Sequence, residues 1–252
     1  MVAADKGGPV TLPSARDEIL ARVAAALGDH PTVPEVPREY RSHSDHAAGA
    51  PALLELFVER LVDYKATVHR TTPARLPAVL ASTLEDSGRL LVPPGLAEHL
   101  KATMDARTEG TVDARTEGTV DTLTERVVNT LTKGVVAALA GATVDDGLGA
   151  TELDAFDTVL TTCAAAAAET GTIVLDASPG QGRRAVTLVP DRHVCVVRAD
   201  QVVHNVPELL ARLDPRRPLT FISGPSATSD IELERVEGVH GPRTLVVILV
   251  AR

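Results

Sequence analysis

The strongest constraint on this chain is an alternation of short apolar runs with stretches of helical spacing, closing on Leu245-Val246-Val247-Ile248-Leu249-Val250. A run apolar at every position has no face to offer to water, so a strand there must be covered on both sides. Further strands are expected at Ala66 to His69, Leu90 to Val92, Thr158 to Leu160, Thr172 to Leu175, Ala185 to Val189, Val194 to Val197 and Leu219 to Ile222. Helical patterning fills Pro51 to Asp63 and Pro73 to Glu85 between the early ones. Strands that alternate with helices in this way predict βαβ units and a mostly parallel sheet, an α/β fold.

The flanks are read by their caps and breakers. Ser14-Ala15-Arg16-Asp17 has the form of an N-cap with an acid in the first turn, followed by Ile19, Leu20, Val23 and Leu27 at helical spacing and closed by Gly28. Residues 1–13 are expected to be disordered. The three prolines from Pro31 to Pro37 and the polar run Arg41 to His46 predict a surface linker.

Composition narrows the function classes. Aromatic residues are 2% of the chain and Trp is absent, so Ala, Val and Leu must build the core, which suits helices layered on a sheet. With 34 acidic against 25 basic side chains and a net charge of −9, the chain has neither the charge nor the stacking groups of a nucleic-acid binder. No stretch reaches the ~20 apolar residues that span a bilayer, and residues 1–13 lack signal-peptide order, so a cytoplasmic protein without a membrane span is expected. Cys163 and Cys195 stand alone, without a CxxC pair. Two thiolates cannot ligate a structural zinc or an iron–sulfur cluster by themselves, and no cofactor is expected on this chain.

Residues 105–136 are different in kind. Asp105-Ala106-Arg107-Thr108-Glu109-Gly110-Thr111-Val112 recurs identically from Asp113 to Val120, and in degenerate form from Asp121 to Val128 and from Asn129 to Val136. Eight residues drift by about 80° around an α-helix, so the repeat builds no constant helical face. Gly110 and Gly118 disfavour a regular strand. The segment is expected to be an insertion, with helix from Leu123 to Leu139. With it set aside, residues 14–252 have the size of a single α/β domain.

Three constellations in the last third can carry chemistry. In Phe221 to Glu232 a strand runs through Ser223-Gly224-Pro225-Ser226 into a hydroxyl-rich helix start that includes Thr228. Two readings stay open: an anion site at the helix start, or a capping box Ser229-x-x-Glu232, in which Asp230 and Glu232 already occupy the first turn. The second, Glu169-Thr170-Gly171-Thr172, follows five alanines read as a helix packed close to the sheet. A glutamate at such a turn serves as nucleophile or general base, or is a solvated loop acid with Gly171 chosen for its backbone freedom. The third, Gly180-Gln181-Gly182-Arg183-Arg184, sets two guanidiniums beside flexible glycines, a form suited to clamping an anion. It has neither P-loop nor GxGxxG spacing, so nucleotide binding is not indicated. His193 and His240 flank strands without a visible carboxylate partner. The pattern His43-x-x-His46 with Asp45 is a lone HxxH in a polar linker, and no metal site is assigned.

From Ala168 to Val250 the chain resembles the LUD-domain family and its lactate-utilisation branch. The likeness rests on Glu169-Thr170-Gly171-Thr172, Gly182-Arg183-Arg184-Ala185, Leu188 to His193, Leu219 to Ser226, Thr228 to Glu232 and Gly238-Val239-His240-Gly241-Pro242-Arg243. The helix opening at Ser14 and the Leu27-Gly28 ending are also similar. The octad repeats depart from the family pattern, which has a short connection there. The resemblance implies a three-layer α/β/α fold similar to the NagB/RpiA/CoA-transferase-like group. It also implies a non-redox role in oxidising L-lactate to pyruvate beside two iron–sulfur proteins, LutA-like and LutB-like.

On this reading the carboxyl edge of the sheet binds a small carboxylate or a partner loop. Arg183 or Arg184 pairs with the anion, Ser223, Ser226 and Thr228 donate hydrogen bonds, and Glu169 is the candidate acid/base. Thr170, Gly171, Thr172, His193, Gly224, Asp230, Glu232 and His240 complete the candidate ligand-binding set. The rival reading makes Glu169 the nucleophile of a stand-alone acyl-transfer enzyme acting on coenzyme A thioesters. A third has the protein as a regulator or scaffold with a degenerate pocket.

Overall fold

The computed structural model describes residues 14–28, 35–40, 42–105, 133–135, 137–229, 235–237 and 241–251. The chain divides into two compact units, residues 1–40 and 41–252. In the first, helix α1 (Ala15–Leu27) opens on the expected capping box: Ser14 Oγ accepts from Asp17 N at 3.2 Å, and Asp17 Oδ2 receives Ser14 N in return. The expected disordered stretch 1–13 lies outside the described residues, as do 106–132 and 136 of the octad segment. Of the helix expected from Leu123 to Leu139, residues 133–135 and 137–139 are described; 133–135 and 137–138 are helical, and Leu139 lies in the turn that follows.

The second unit is organised by a six-stranded, fully parallel sheet. Its strands are β1 (Thr67–Thr71), β2 (Leu90–Val92), β3 (Thr143–Val144), β4 (Thr158–Thr162), β7 (Arg192–Arg198) and β12 (Thr244–Val250), in spatial order β1-β12-β7-β4-β2-β3. The strand that closes the chain thus lies inside the sheet between β1 and β7, and residues 245–250 are buried on both faces, as their unbroken apolarity demands.

Helices α3 (Leu76–Leu84) and α4 (Leu96–Asp105) cover one face, where Leu76, Leu80 and Leu100 meet Val194, Val196, Val246 and Ile248. On the other face, helix α2 (Pro51–Asp63) packs Leu53, Phe57 and Leu61 against Cys195, Val197, Val247 and Leu249. Full burial of each such side chain contributes about 2 kcal/mol. Two shorter helices are α5 (Ala150–Leu153) and α6 (Val206–Leu210). The architecture is α/β, a mostly parallel sheet with flanking helices.

A smaller sheet shares α2's side of the molecule: β5 (Ala165–Ala167), β6 (Thr172–Leu175), β8 (Val202–Val203) and β9 (Thr220–Ile222), in order β8-β5-β6-β9. It corrects one expectation. Residues 164–168 do not form a helix, because β5 is hydrogen-bonded between β6 and β8. Ala166 and Ala168 face the core beneath α2, whereas Ala165 and Ala167 face Leu209 of α6, the period of two that a strand imposes. Alanine has high helix propensity, but its small side chain also lets two sheets approach closely, and tertiary pairing decides.

Two more expectations change. Residues 185–189 are not a strand; Arg184–Thr187 is a 3₁₀ turn, with Val186 N bonded to Arg183 O and Leu188 N to Ala185 O. Ser229 is the end of a strand: residues Ala227–Ser229 form β10, antiparallel to β11 (Arg235–Glu237), while Glu232, the other half of the expected capping box, lies outside the described residues. No helix among the described residues is long and apolar enough to cross a membrane.

Candidate functional site

Four of the polar side chains read from the sequence, Arg184, His193, Ser223 and Ser226, converge where β9, the 3₁₀ turn and the amino ends of β7 and β12 meet. β9 runs antiparallel to β6, pairing Ile222 with Ile173, and this register delivers Ser223 beside Thr172. Their hydroxyl oxygens are 2.8 Å apart, and Thr170 Oγ1 lies 2.7 Å from Thr172 Oγ1, so three hydroxyls form one hydrogen-bonded chain. Gly224 follows with φ +87, and a Cβ there would stand 2.6 Å from the Tyr64 Cβ just after α2. Only glycine permits that turn and that approach. Ser226 N then donates to Pro242 O at 2.9 Å, which ties the end of β9 to the entry of β12.

These elements enclose a cleft of about 290 Å³, lined by Arg184, His193, Ser223, Gly224 and Ser226 of the expected set. Thr187, Leu188, Phe221, Pro242 and Leu245 add walls that were not anticipated. Arg184 and Thr187 are three residues apart, the spacing that places side chains on one side of a 3₁₀ turn. Pro190, closely following, is the sequence signal that disfavours a strand there.

The location is a correction. His193 and Leu245 are the second residues of β7 and β12, and Pro242 precedes β12, so the cleft sits at the amino ends of these parallel strands and not at their carboxyl edge. The cause is β9, which belongs to the smaller sheet and brings Ser223 to that end.

Electrostatics separates the two adjacent arginines. Arg183 turns away from the cleft: its Nε and Nη2 each donate to the Asp145 carboxylate at 2.8 Å, and Nη2 also donates to Leu148 O. Hydrogen bonding from Arg183 holds the Asp145 carboxyl below its ordinary range against the opposing effect of burial. Arg183 therefore anchors the 145–148 loop. Arg184 is exposed on the cleft and makes no ion pair among the described residues, leaving its charge available to an anion.

His193 is 1% exposed, and its Nε2 lies 2.7 Å from Thr161 Oγ1. Burial lowers its pKa to about 4, so the ring is neutral at pH 7.

Other expected residues fall elsewhere. Glu169 and Gly171 occupy the turn joining β5 to β6, and Glu169 is exposed there, outside the cleft lining. Gly171 has φ +58, and a Cβ would meet the Arg60 Cβ at 2.9 Å, so the turn packs on α2 as its conformational freedom allows. Thr228 lies in the extended β10. Asp230, Glu232 and His240 lie outside the described residues. Among the described residues, no three His, Cys, Asp or Glu side chains are placed to hold a metal ion.

Comparison with known proteins gives a consistent answer. The LUD domain family model matches residues 54–250. A lactate utilization protein C of Deinococcus radiodurans is 41% identical over 203 residues, 79% of this chain and 79% of that protein. One of Exiguobacterium is 36% identical over 102 residues, which span 37% of this chain and 44% of that one. The crystal structure of a DUF162 family protein from Deinococcus radiodurans is 34% identical and superposes with a TM-score of 0.54, covering 79% of this chain and 96% of that one.

Proposed function

The chain belongs to the LUD-domain family, and on that premise we propose that it serves lactate utilisation as a subunit of an L-lactate-oxidising assembly, holding the acid without carrying its electrons. The observation that supports this reading is the pairing, in one small cleft, of an Arg184 guanidinium that makes no ion pair among the described residues with the hydroxyls of Ser223 and Ser226. A volume of about 290 Å³ suits a small organic acid.

Arg184 pairs with the carboxylate, and Ser223 and Ser226 hydrogen-bond to it. Thr172, bonded to Ser223, orients that hydroxyl. His193 stays neutral and adds no charge of its own to the cleft. Oxidising L-lactate to pyruvate releases two electrons and two protons. The chain's two cysteines are both buried and too few for an iron–sulfur cluster, which is in keeping with the family resemblance, by which the electrons pass to LutA-like and LutB-like iron–sulfur partners.

Deleting the gene is expected to abolish growth on L-lactate as sole carbon source, with rescue by the wild-type chain and not by Arg184→Ala. A pull-down from lactate-grown cells is expected to recover two cysteine-rich proteins. Normal growth of the deletion strain would overturn the reading.

A second reading is favoured by the exposure of Glu169 at the apex of the β5–β6 turn, an accessible position for an acyl nucleophile. Incubation with an acyl-coenzyme A followed by hydroxylamine or borohydride separates the two. A modified Glu169 supports acyl transfer, and the lactate reading expects an unmodified one.

A further inference from the structure

A larger cavity lies at the other end of the six-stranded sheet. Its volume is about 910 Å³, and it opens over the carboxyl ends of β1, β12 and β7, the end at which open α/β sheets characteristically hold ligands. Leu249 and Val250, both buried, form its floor, and Leu54 of α2 and Thr103 of α4 stand in its walls. None of the candidate catalytic or ligand-binding residues read from the sequence lines it.

Two arginines on different strands define its polar character. Arg70 of β1 is in register with Leu249, and Arg198 of β7 with Val250. Register partners share a face and consecutive residues alternate, so Arg70 stands on α2's side of the sheet and Arg198 on the side of α3 and α4. The two strands are separated by two strand spacings, roughly 10 Å. A three-carbon acid cannot reach both guanidiniums.

Each arginine is braced by one carboxylate. Arg70 uses both terminal nitrogens on Glu55, with Nη2 to Oε2 at 2.7 Å. Arg198 donates from Nε and Nη2 to Asp200 at 3.0 and 3.1 Å. A guanidinium carries five N–H groups, so bidentate pairing with one carboxylate fixes its orientation and leaves donors for a ligand. Arg212 adds a third guanidinium beside Asp200: its Nη1 donates to the Asp200 carbonyl at 2.7 Å, and it makes no ion pair among the described residues. Within the lining two guanidiniums stand against two carboxylates, and Arg212, beside Asp200 but outside the lining, adds a further positive charge nearby.

We propose that this crevice binds an elongated phosphorylated ligand of nucleotide size, with anionic groups on Arg70 and Arg198 and its carbon skeleton across Leu249 and Val250. Its volume lies in the range that encloses such molecules. Phosphate oxygens match the forked donors that the bracing carboxylates leave free. This site is separate from the lactate cleft and departs from the expectation of a chain that binds no cofactor.

Calorimetric titration of the full chain tests it with ADP, inorganic pyrophosphate and L-lactate as probes. ADP is expected to bind saturably with a dissociation constant below about 1 mM. Arg70→Ala and Arg198→Ala should each weaken it at least tenfold, and pyrophosphate should bind at least tenfold more weakly than ADP. Glu55→Gln, which keeps both arginines and removes a competing charge, should tighten ADP binding two- to threefold, a readout that misfolding cannot imitate. ADP and L-lactate should not displace one another, so failure at one site is distinguishable from failure at the other. Absence of saturable ADP binding, or equal binding by the wild type and both alanine variants, overturns the proposal. Pyrophosphate binding as tight as ADP reduces the crevice to a bare anion site and overturns it equally.

Discussion

Replacing Arg183 with alanine is expected to destabilise the protein by about 2 kcal/mol, while Arg184→Ala leaves unfolding nearly unchanged and weakens binding of L-lactate or pyruvate at least tenfold. The contrast follows from where each guanidinium ends. The Asp145 side chain is 5% exposed, and removing Arg183 leaves its charge in a poor medium with, among the described residues, the Gly147 and Leu148 backbone N–H groups as its remaining donors. Breaking a fully buried pair costs about 3–5 kcal/mol. Arg183 is itself 41% exposed, so solvent screens part of the loss and the lower figure applies. Arg184 has no such duty, and its removal deletes one charge-assisted contact to a bound anion. Urea unfolding and calorimetric titration of both variants check this. Equal destabilisation, or undiminished acid binding by Arg184→Ala, would contradict the division of labour.

Lowering the pH from 6.5 to 4 is expected to remove about 3 kcal/mol of stability through His193 alone. In the unfolded chain this ring protonates near its ordinary value of 6.5; in the folded protein burial lowers the pKa to about 4. Between those values the unfolded state binds a proton that the native state refuses, so the native state loses ground as pH falls. The contribution is fully present above 6.5 and exhausted below about 4, and 1.36 kcal/mol per pKa unit sets its size. Denaturant unfolding at several pH values should give this slope in the wild type and not in His193→Gln. Asp145 acts lower: Arg183 depresses its carboxyl below the ordinary 3.8, so its contribution persists above 3.8 and is lost as pH falls through the depressed value. A wild-type profile that His193→Gln leaves unaltered would refute the assignment.

The elements that could be read in advance are those whose residues carry their own directional signal. Helix α2 occupies Pro51–Asp63 as expected, because proline suits its first turn and Leu53, Phe57 and Leu61 repeat on one face. Residues 245–250 announce a doubly covered strand by leaving no polar face. The alanines at 164–168 carry no such signal: identical small side chains show neither a period of two nor one of 3.6, so the strands paired with them decide. Residues 185–189 mislead because their apolar composition is that of a strand, whereas local i to i+3 bonds hold residues 184–187 in a tight turn. In the cleft, Arg184, His193, Ser223 and Ser226 were legible as polar residues at element ends and Gly224 as a turn residue, but their being neighbours was not. Arg183 and Arg184 are indistinguishable in the chain, and only the long-range partner Asp145 separates an anchor from a ligand-binding charge.

By itself the sequence determined the α/β class, the burial of the last strand and the types of side chain available for chemistry, because hydrophobic periodicity and turn residues act over a few neighbours. Only the tertiary structure decided that a second sheet exists, that it carries Ser223 to the amino ends of β7 and β12, and that a larger crevice opens at their carboxyl ends. Those outcomes depend on which distant strands pair, and local spacing carries no information about that choice.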